Sequence, residues 1–248
     1  MVPSIPWRRP PASLTLAAQE IHVWRALLHQ RPEDIALLES VLSMDERAKA
    51  GRYKFDHNRN DYIVARGVLR HILGAYVDRR PESLQFYYSP YGKPALNAEI
   101  DGQKLSFNVS HSGGYALYAI ARGREIGIDV ERVRPEAAQD GVAERFFSPR
   151  EVATLRGLPS HAQPLAFFNC WTRKEAYIKA RGEGLSLPLN QFDVSLTPGE
   201  PARLLQSRVD PEDPARWTLQ AIPFEHGYVA AVAAEGNDWK LTYWNWQP

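Results

Sequence analysis

Three acidic residues in this sequence stand where their carboxylates could meet. Gly127-Ile128-Asp129-Val130-Glu131 reads as an apolar strand ending in two acids two residues apart. Because side chains alternate along a strand, Asp129 and Glu131 point to one face. Two like charges on one face repel, and a hard divalent cation bound by oxygen offsets that repulsion. Taken alone, the pair equally fits a strand end turned to water beside Arg132. The third acid is Glu175. Trp171, Glu175 and Ile178 follow at steps of four and three, which puts Glu175 on the apolar flank of a helix and away from its solvated back. Lys179 lies one turn further on and Lys174 is adjacent, so an ordinary i,i+4 Glu-to-Lys pair is the plainer alternative there. Together the three carboxylates are oxygen ligands of the kind a hard divalent cation takes.

The elements that would position these acids are marked by caps and periodicity. Ser43-Met44-Asp45-Glu46 matches a capping box and predicts a basic helix from Glu46 to Tyr53. Tyr62, Ala65, Leu69, Ile72, Leu73 and Tyr76 recur on one face of a second helix, from about Asn58 to Val77. A strand is expected before them at Ile21 to Ala26, and more after them at Leu84 to Tyr88, Leu105 to Val109, Tyr115 to Ala121 and Ile126 to Val130. Gly92, Pro94, Gly113 and Gly123 mark the turns between the later strands. Ser148-Pro149-Arg150-Glu151 starts another helix, combining a capping box with proline at the first helical position. The helix carrying Glu175 runs from roughly Gln163 to Arg181 and ends at Gly182 and Gly184. Strands follow at Phe192 to Leu196, Trp217 to Ile222, Tyr228 to Ala234 and Leu241 to Trp244.

An internal echo suggests how the pieces are arranged. Gly114-Tyr-Ala-Leu-Tyr-Ala-Ile-Ala121 resembles Gly227-Tyr-Val-Ala-Ala-Val-Ala-Ala234, each after a histidine-containing turn and an earlier helix-then-strand order. The expected fold is α+β (α/β): a proline-rich start at residues 1–20 lying loosely on the surface, an N-terminal lobe at 21–124 and a similar C-terminal lobe at 125–248, with a cleft between the lobes.

Composition limits the partners. The chain of 248 residues is 44% hydrophobic and carries a formal charge of +1. It can bury a sizeable core, but it has no global field to hold nucleic acid or an anionic membrane. Cys170 is the only cysteine, so an internal disulfide and a cysteine-based zinc cluster are excluded and a reducing compartment fits. Prolines interrupt the start where a signal peptide would be apolar, and no run reaches the roughly 20 residues of a membrane span. The expectation is a cytoplasmic protein with neither nucleic acid nor membrane as a partner.

Asn108-Val-Ser-His111, Gly127-Ile-Asp-Val-Glu131 and Trp171-Thr-Arg-Lys-Glu-Ala-Tyr-Ile-Lys179 occur in an order and spacing that resemble the 4′-phosphopantetheinyl transferases of the larger, surfactin-synthetase-activating type. Tyr91-Gly-Lys-Pro94 upstream and Gly184-Leu-Ser-Leu-Pro-Leu189 downstream extend the resemblance over roughly residues 43 to 195. It implies a monomer built as a pseudo-dimer of two similar lobes. The implied activity is transfer of the phosphopantetheine arm of coenzyme A to a serine of an acyl or peptidyl carrier protein, with release of 3′,5′-ADP.

Carried onto this chain, the resemblance makes Asp129, Glu131 and Glu175 the magnesium ligands, with Glu175 or alternatively Glu131 as the base for the carrier serine. Lys179 would stabilise the departing 3′,5′-ADP. Asn108, Ser110 and His111 fall in the motif that contacts coenzyme A phosphate, and Lys93 and Lys49 match positions near the adenine or the 3′-phosphate. Glu46 stands where relatives often carry a basic residue, leaving Arg47, Arg52 or Arg66 to compensate. Two other readings remain: a magnesium-dependent nucleotide or diphosphate hydrolase, in which water attacks, and a non-catalytic module that binds carrier proteins.

Overall fold

The computed structural model describes residues 7–96, 99–100, 102–138 and 141–248. In chain order the N-terminal half contains β1 (Glu20–Leu27), α1 (Pro32–Ser40), α2 (Met44–Ala50), α3 (Asp56–Val77), β2 (Phe86–Tyr88), β3 (Pro94–Leu96), β4 (Glu99–Ile100), β5 (Gln103–Ser112) and β6 (Tyr115–Arg122). The C-terminal half contains β7 (Ile126–Arg132), α4 (Val142–Phe146), α5 (Pro149–Gly157), α6 (Gln163–Arg181), β8 (Phe192–Val194), β9 (Leu204–Ser207), α7 (Asp213–Arg216), β10 (Trp217–Ala221), β11 (Tyr228–Glu235) and β12 (Lys240–Asn245).

The strands form a five-stranded sheet in the order β12-β1-β6-β5-β4 and a three-stranded sheet in the order β10-β11-β7, with β2-β3 and β8-β9 as small pairs. Each larger sheet has a long helix on it. On the first, Val64, Val68, Leu69 and Ile72 of α3 share a core with Phe107, Tyr118 and Ile120. On the second, Phe168, Tyr177 and Ile178 of α6 share one with Leu219, Ala231 and Ala233. A third apolar cluster joins the sheets, with Ile21, Val23, Leu117 and Ala119 against Ile128, Val130, Ala230 and Val232. Strands β6 and β11 contribute alternate residues to two clusters each, as strands buried on both faces must. The result is two helix-on-sheet lobes packed sheet to sheet.

The echo seen in the sequence has a structural counterpart. β6 and β11 are each the central strand of their local trio, and each follows a glycine with positive φ, Gly114 at 90° and Gly227 at 83°. Tyr115 and Tyr228, the next residues, meet edge to face with ring centroids 5.3 Å apart. The last strand crosses between halves, because β12 pairs in parallel with β1 through Ile21↔Leu241 and Trp24↔Trp244.

Residues 1–6 of the proline-rich start lie outside the described residues. The remainder of that start is not loose. Arg8 bridges to β12 by donating its N–H to Tyr243 O and accepting from Asn245 N, Trp7 packs on Phe224 and Tyr243, and Leu16 is buried. Apolar and backbone groups thus anchor a segment whose prolines alone read as a surface tether. Residues 27–42, which carried no sequence signal, form α1 with proline at its first turn, and Leu38 seats it on α3 at Gly67.

Candidate active site

α6 lies directly over β7, and a glycine makes the approach possible. A Cβ built on Gly127 would stand 2.1 Å from Ala176 O and 2.3 Å from Ala180 N, both backbone atoms of α6. Residue 127 therefore has to be glycine for the helix to sit this low. Asp129 and Glu131 share the strand face of Gly127, and Glu175 and Lys179 lie on α6 one turn apart, so close packing at Gly127 brings strand acids and helix residues together.

Ser110, His111, Asp129, Glu131, Trp171, Glu175 and Lys179, with Val109, line one cavity of about 360 Å³. Lys179 Nζ donates to Asp129 Oδ1 at 2.6 Å and to Ser110 Oγ at 3.2 Å. Ser110 Oγ donates to the same Asp129 oxygen at 2.7 Å. Asp129 Oδ2 is buried and has no hydrogen-bond partner among the described residues. Glu131 Oε2 accepts from Ser112 Oγ at 2.8 Å.

The electrostatics register the crowding. Burial raises the proton affinity of Asp129 against the opposing pull of Lys179. Burial and then the charge of Asp129 raise that of Glu131. Burial raises Glu175, with Asp129 and Glu131 adding to it and Lys179 opposing. The three carboxylates are thus electrostatically one group. Among the described residues, no three His, Cys, Asp or Glu side chains are gathered tightly enough to hold a metal as they stand. Lys179 takes the place of a cation on Asp129 Oδ1.

Lys174, the adjacent alternative partner for Glu175, faces the opposite way. It is fully buried, pairs with Glu151 at 2.8 Å and donates to the carbonyls of Leu189 and Phe192. The last residue of the Gly184–Leu189 motif therefore serves a structural lysine. Glu151 also closes the predicted capping box by accepting from Ser148 N at 2.8 Å, and it receives Val194 N at 2.7 Å.

The remaining expected residues lie apart from the carboxylate cavity. Asn108 is buried and its Oδ1 accepts from Ile128 N at 2.9 Å, so its amide is engaged with strand β7. Lys93 lines a neighbouring cavity of about 250 Å³ with Ser89, Ser106, Glu125 and Arg181. Burial lowers its pKa against the pull of Glu125, and its ammonium donates to Glu125 Oε2, Ile126 O and Ala180 O. Lys49 is exposed on α2, with its ammonium 5.3 Å from the Tyr62 ring centroid.

Glu46 is buried under α3, bound to Arg66 and, at 2.7 Å, to Arg70. Arg66 is therefore already paired, and Arg47 donates to Leu42 O and Ser40 O, which narrows the compensation for an acid at position 46. Sequence reasoning missed Ser112, which holds Glu131. The available signal was the alternation of polar residues at 108, 110 and 112 opposite the acidic strand.

Residues 125–233 match the family model described as the 4′-phosphopantetheinyl transferase superfamily, and residues 26–122 match the model of the 4′-phosphopantetheinyl transferase N-terminal region. The chain is 40% identical over 240 residues to the 4′-phosphopantetheinyl transferase HetI of Nostoc sp., covering 97% of this chain and 98% of HetI. It is 34% identical to a putative 4′-phosphopantetheinyl transferase of Synechocystis sp., covering 83% and 80% of the two chains. With the 4′-phosphopantetheinyl transferase Sfp of Bacillus subtilis it shares 31% identity, covering 63% and 67%. Similarity that runs the length of HetI and spans both lobes settles the kinship: this chain is an enzyme belonging to the 4′-phosphopantetheinyl transferase superfamily, of the Sfp-like type.

Proposed function

We propose that the chain moves the 4′-phosphopantetheine arm of coenzyme A onto a serine hydroxyl of an apo acyl or peptidyl carrier protein, in a magnesium-dependent reaction that releases 3′,5′-ADP. The observation that carries this reading is the convergence of Asp129, Glu131, Glu175 and Lys179 on one cavity. The donor set suits magnesium, which takes a few carboxylates and keeps several waters. Asp129 Oδ2 is buried without a hydrogen-bond partner among the described residues, and each added carboxylate makes the next harder to ionise without a cation. Asp129, Glu131 and Glu175 would hold the ion. When bound, it neutralises charge on the diphosphate of the coenzyme.

The protein's own groups do the rest. His111 stands at the cavity wall as a hydrogen-bond donor to phosphate oxygens, and Ser110 beside it would donate there only by turning its hydroxyl from Asp129. Lys179 carries the cation that would stabilise the departing phosphate. Glu175 is the candidate base for the carrier serine: its proton affinity is raised, and it has no hydrogen-bond partner among the described residues, whereas Glu131 is tied to Ser112. Asn108, Lys93 and Lys49 are proposed on the coenzyme's path, Asn108 and Lys93 acting through the strand and turn they brace. The lobes, divided near residue 124, would flank the coenzyme.

Action as a monomer in the cytoplasm completes the reading. A lone, buried Cys170 suits a reducing compartment, and among the described residues no helix is long and apolar enough to cross a membrane. The test is release of 3′,5′-ADP from coenzyme A, with magnesium and with an apo carrier each omitted in turn. Release that needs both supports transfer, and release without a carrier identifies a hydrolase.

A further inference from the structure

Strand β7 is the outer strand of its sheet, paired through its main chain only with β11 among the described residues. The N–H groups of Ile128, Val130 and Arg132 point the other way, toward β5, yet β5 has its own main-chain partners, β6 and β4. Side chains fill the gap. Asn108 Oδ1 accepts from Ile128 N at 2.9 Å, Ser110 Oγ from Val130 N at 3.4 Å, and Ser112 Oγ from Arg132 N at 3.2 Å. From 108 to 112 every second residue of β5 thus pairs with the residue 20 further on, which splices the open edge of one sheet to the other lobe.

The two serines do more than satisfy the edge. A hydroxyl that accepts an N–H still has a proton to donate. Ser110 gives its proton to Asp129 Oδ1 at 2.7 Å, and Ser112 gives its own to Glu131 Oε2 at 2.8 Å. The same two-bond unit is repeated one strand period along: accept from residue i+20, donate to the carboxylate at i+19. The third rung ends at Gly127, which carries no carboxylate and is where α6 makes its close approach. The register of the splice and the aim of both acids are therefore set by the same side chains.

From this we infer that Ser112 is a positioning residue, whose hydroxyl holds the Glu131 carboxylate toward the cavity while fixing the end of β7. The inference rests on the proposed role of Glu131 at a divalent cation. Loss of such an outer partner weakens metal binding on the order of 10-fold.

The test compares wild type with Ser112→Ala and Ser112→Thr by three readouts: amide hydrogen exchange at Arg132, affinity for Mn²⁺ with coenzyme A present, and rate of transfer to an apo carrier protein. Ser112→Ala is expected to expose the Arg132 amide, weaken Mn²⁺ binding on the order of 10-fold and slow transfer, while Ser112→Thr, which keeps the hydroxyl, restores all three. Unchanged Mn²⁺ affinity in Ser112→Ala overturns the inference, as does a threonine variant as impaired as the alanine one. Should the alanine variant fail to fold, wild type still decides: an unprotected Arg132 amide, or no Mn²⁺ binding, overturns it. A wild type that binds Mn²⁺ but modifies no carrier defeats the transferase reading and leaves the metal and exchange results to judge Ser112.

Discussion

Lys179 Nζ lies 2.6 Å from Asp129 Oδ1, linking the last turn of α6 to the strand beneath it. Asp129 is almost fully buried and Lys179 is 28% exposed, so the pair is neither a surface ornament nor a sealed core bridge. The lysine opposes the burial that raises the acid. Substitution Lys179→Met leaves the carboxylate with Ser110 as its one side-chain donor among the described residues, and a loss of about 2 kcal/mol is expected after allowing for the lysine's solvent contact. Urea denaturation at neutral pH measures this, and the loss should shrink as acid neutralises Asp129.

Glu175→Gln should separate stability from activity. The three site carboxyls have folded pKa values above their unfolded ones, so the folded state holds extra protons and stability falls as pH rises through and above the ordinary carboxylate range. Removing the charge at 175 relieves Asp129 and Glu131. Thermal unfolding at neutral pH should show a higher Tm for the variant, with an advantage that fades as the pH is lowered. Transfer should drop by about 100-fold or more if Glu175 is ligand or base. Retained activity removes it from the site. Asp129→Ala should likewise lose transfer while remaining folded.

Gly127→Ala tests how the site is assembled. The new methyl meets backbone on both sides of the α6 turn, which cannot rotate away as a side chain would. A cost of about 3 kcal/mol is expected, together with a fall in transfer as Glu175 and Lys179 are lifted from Asp129 and Glu131. Denaturation and transfer assays on the same preparation report both effects.

Glu46 gives a pH dependence of the opposite sign. Burial would raise its carboxyl, but Arg70 and Arg66, with the Ser43 N–H, outweigh burial and hold it below the ordinary value. Its contribution is present above the unfolded pKa of about 4.3 and is lost as pH falls through the lower folded value. Glu46→Gln should cost about 3 kcal/mol at neutral pH, and the wild-type and variant stability curves should converge in acid.

What could be read from sequence and what could not divides along the range of the interactions. Helix α6 ends where Gly182 predicts, and the Ser148–Glu151 box is made as read, because caps and terminators act within a few residues. The shared face of Asp129 and Glu131 and the flank of Glu175 follow from strand and helix periods alone. The parallel pairing of β12 with β1 joins residues more than 200 apart and leaves no local mark. Glu46 was legible as a helix cap, and its Ser43 bond is present. Its burial against Arg70, 24 residues on, was not. Ser112 bears no local mark of its role, because the Arg132 amide that it accepts lies 20 residues further on.

These carboxylates are proposed to serve transfer of a phosphopantetheine arm. Mass spectrometry of an apo carrier protein after incubation with the chain, coenzyme A and magnesium tests it most directly. A gain of about 340 Da on the carrier, the mass of the arm, is predicted for wild type and none for Asp129→Ala. An unchanged mass across a panel of fatty-acid, polyketide and nonribosomal-peptide carriers would contradict the account.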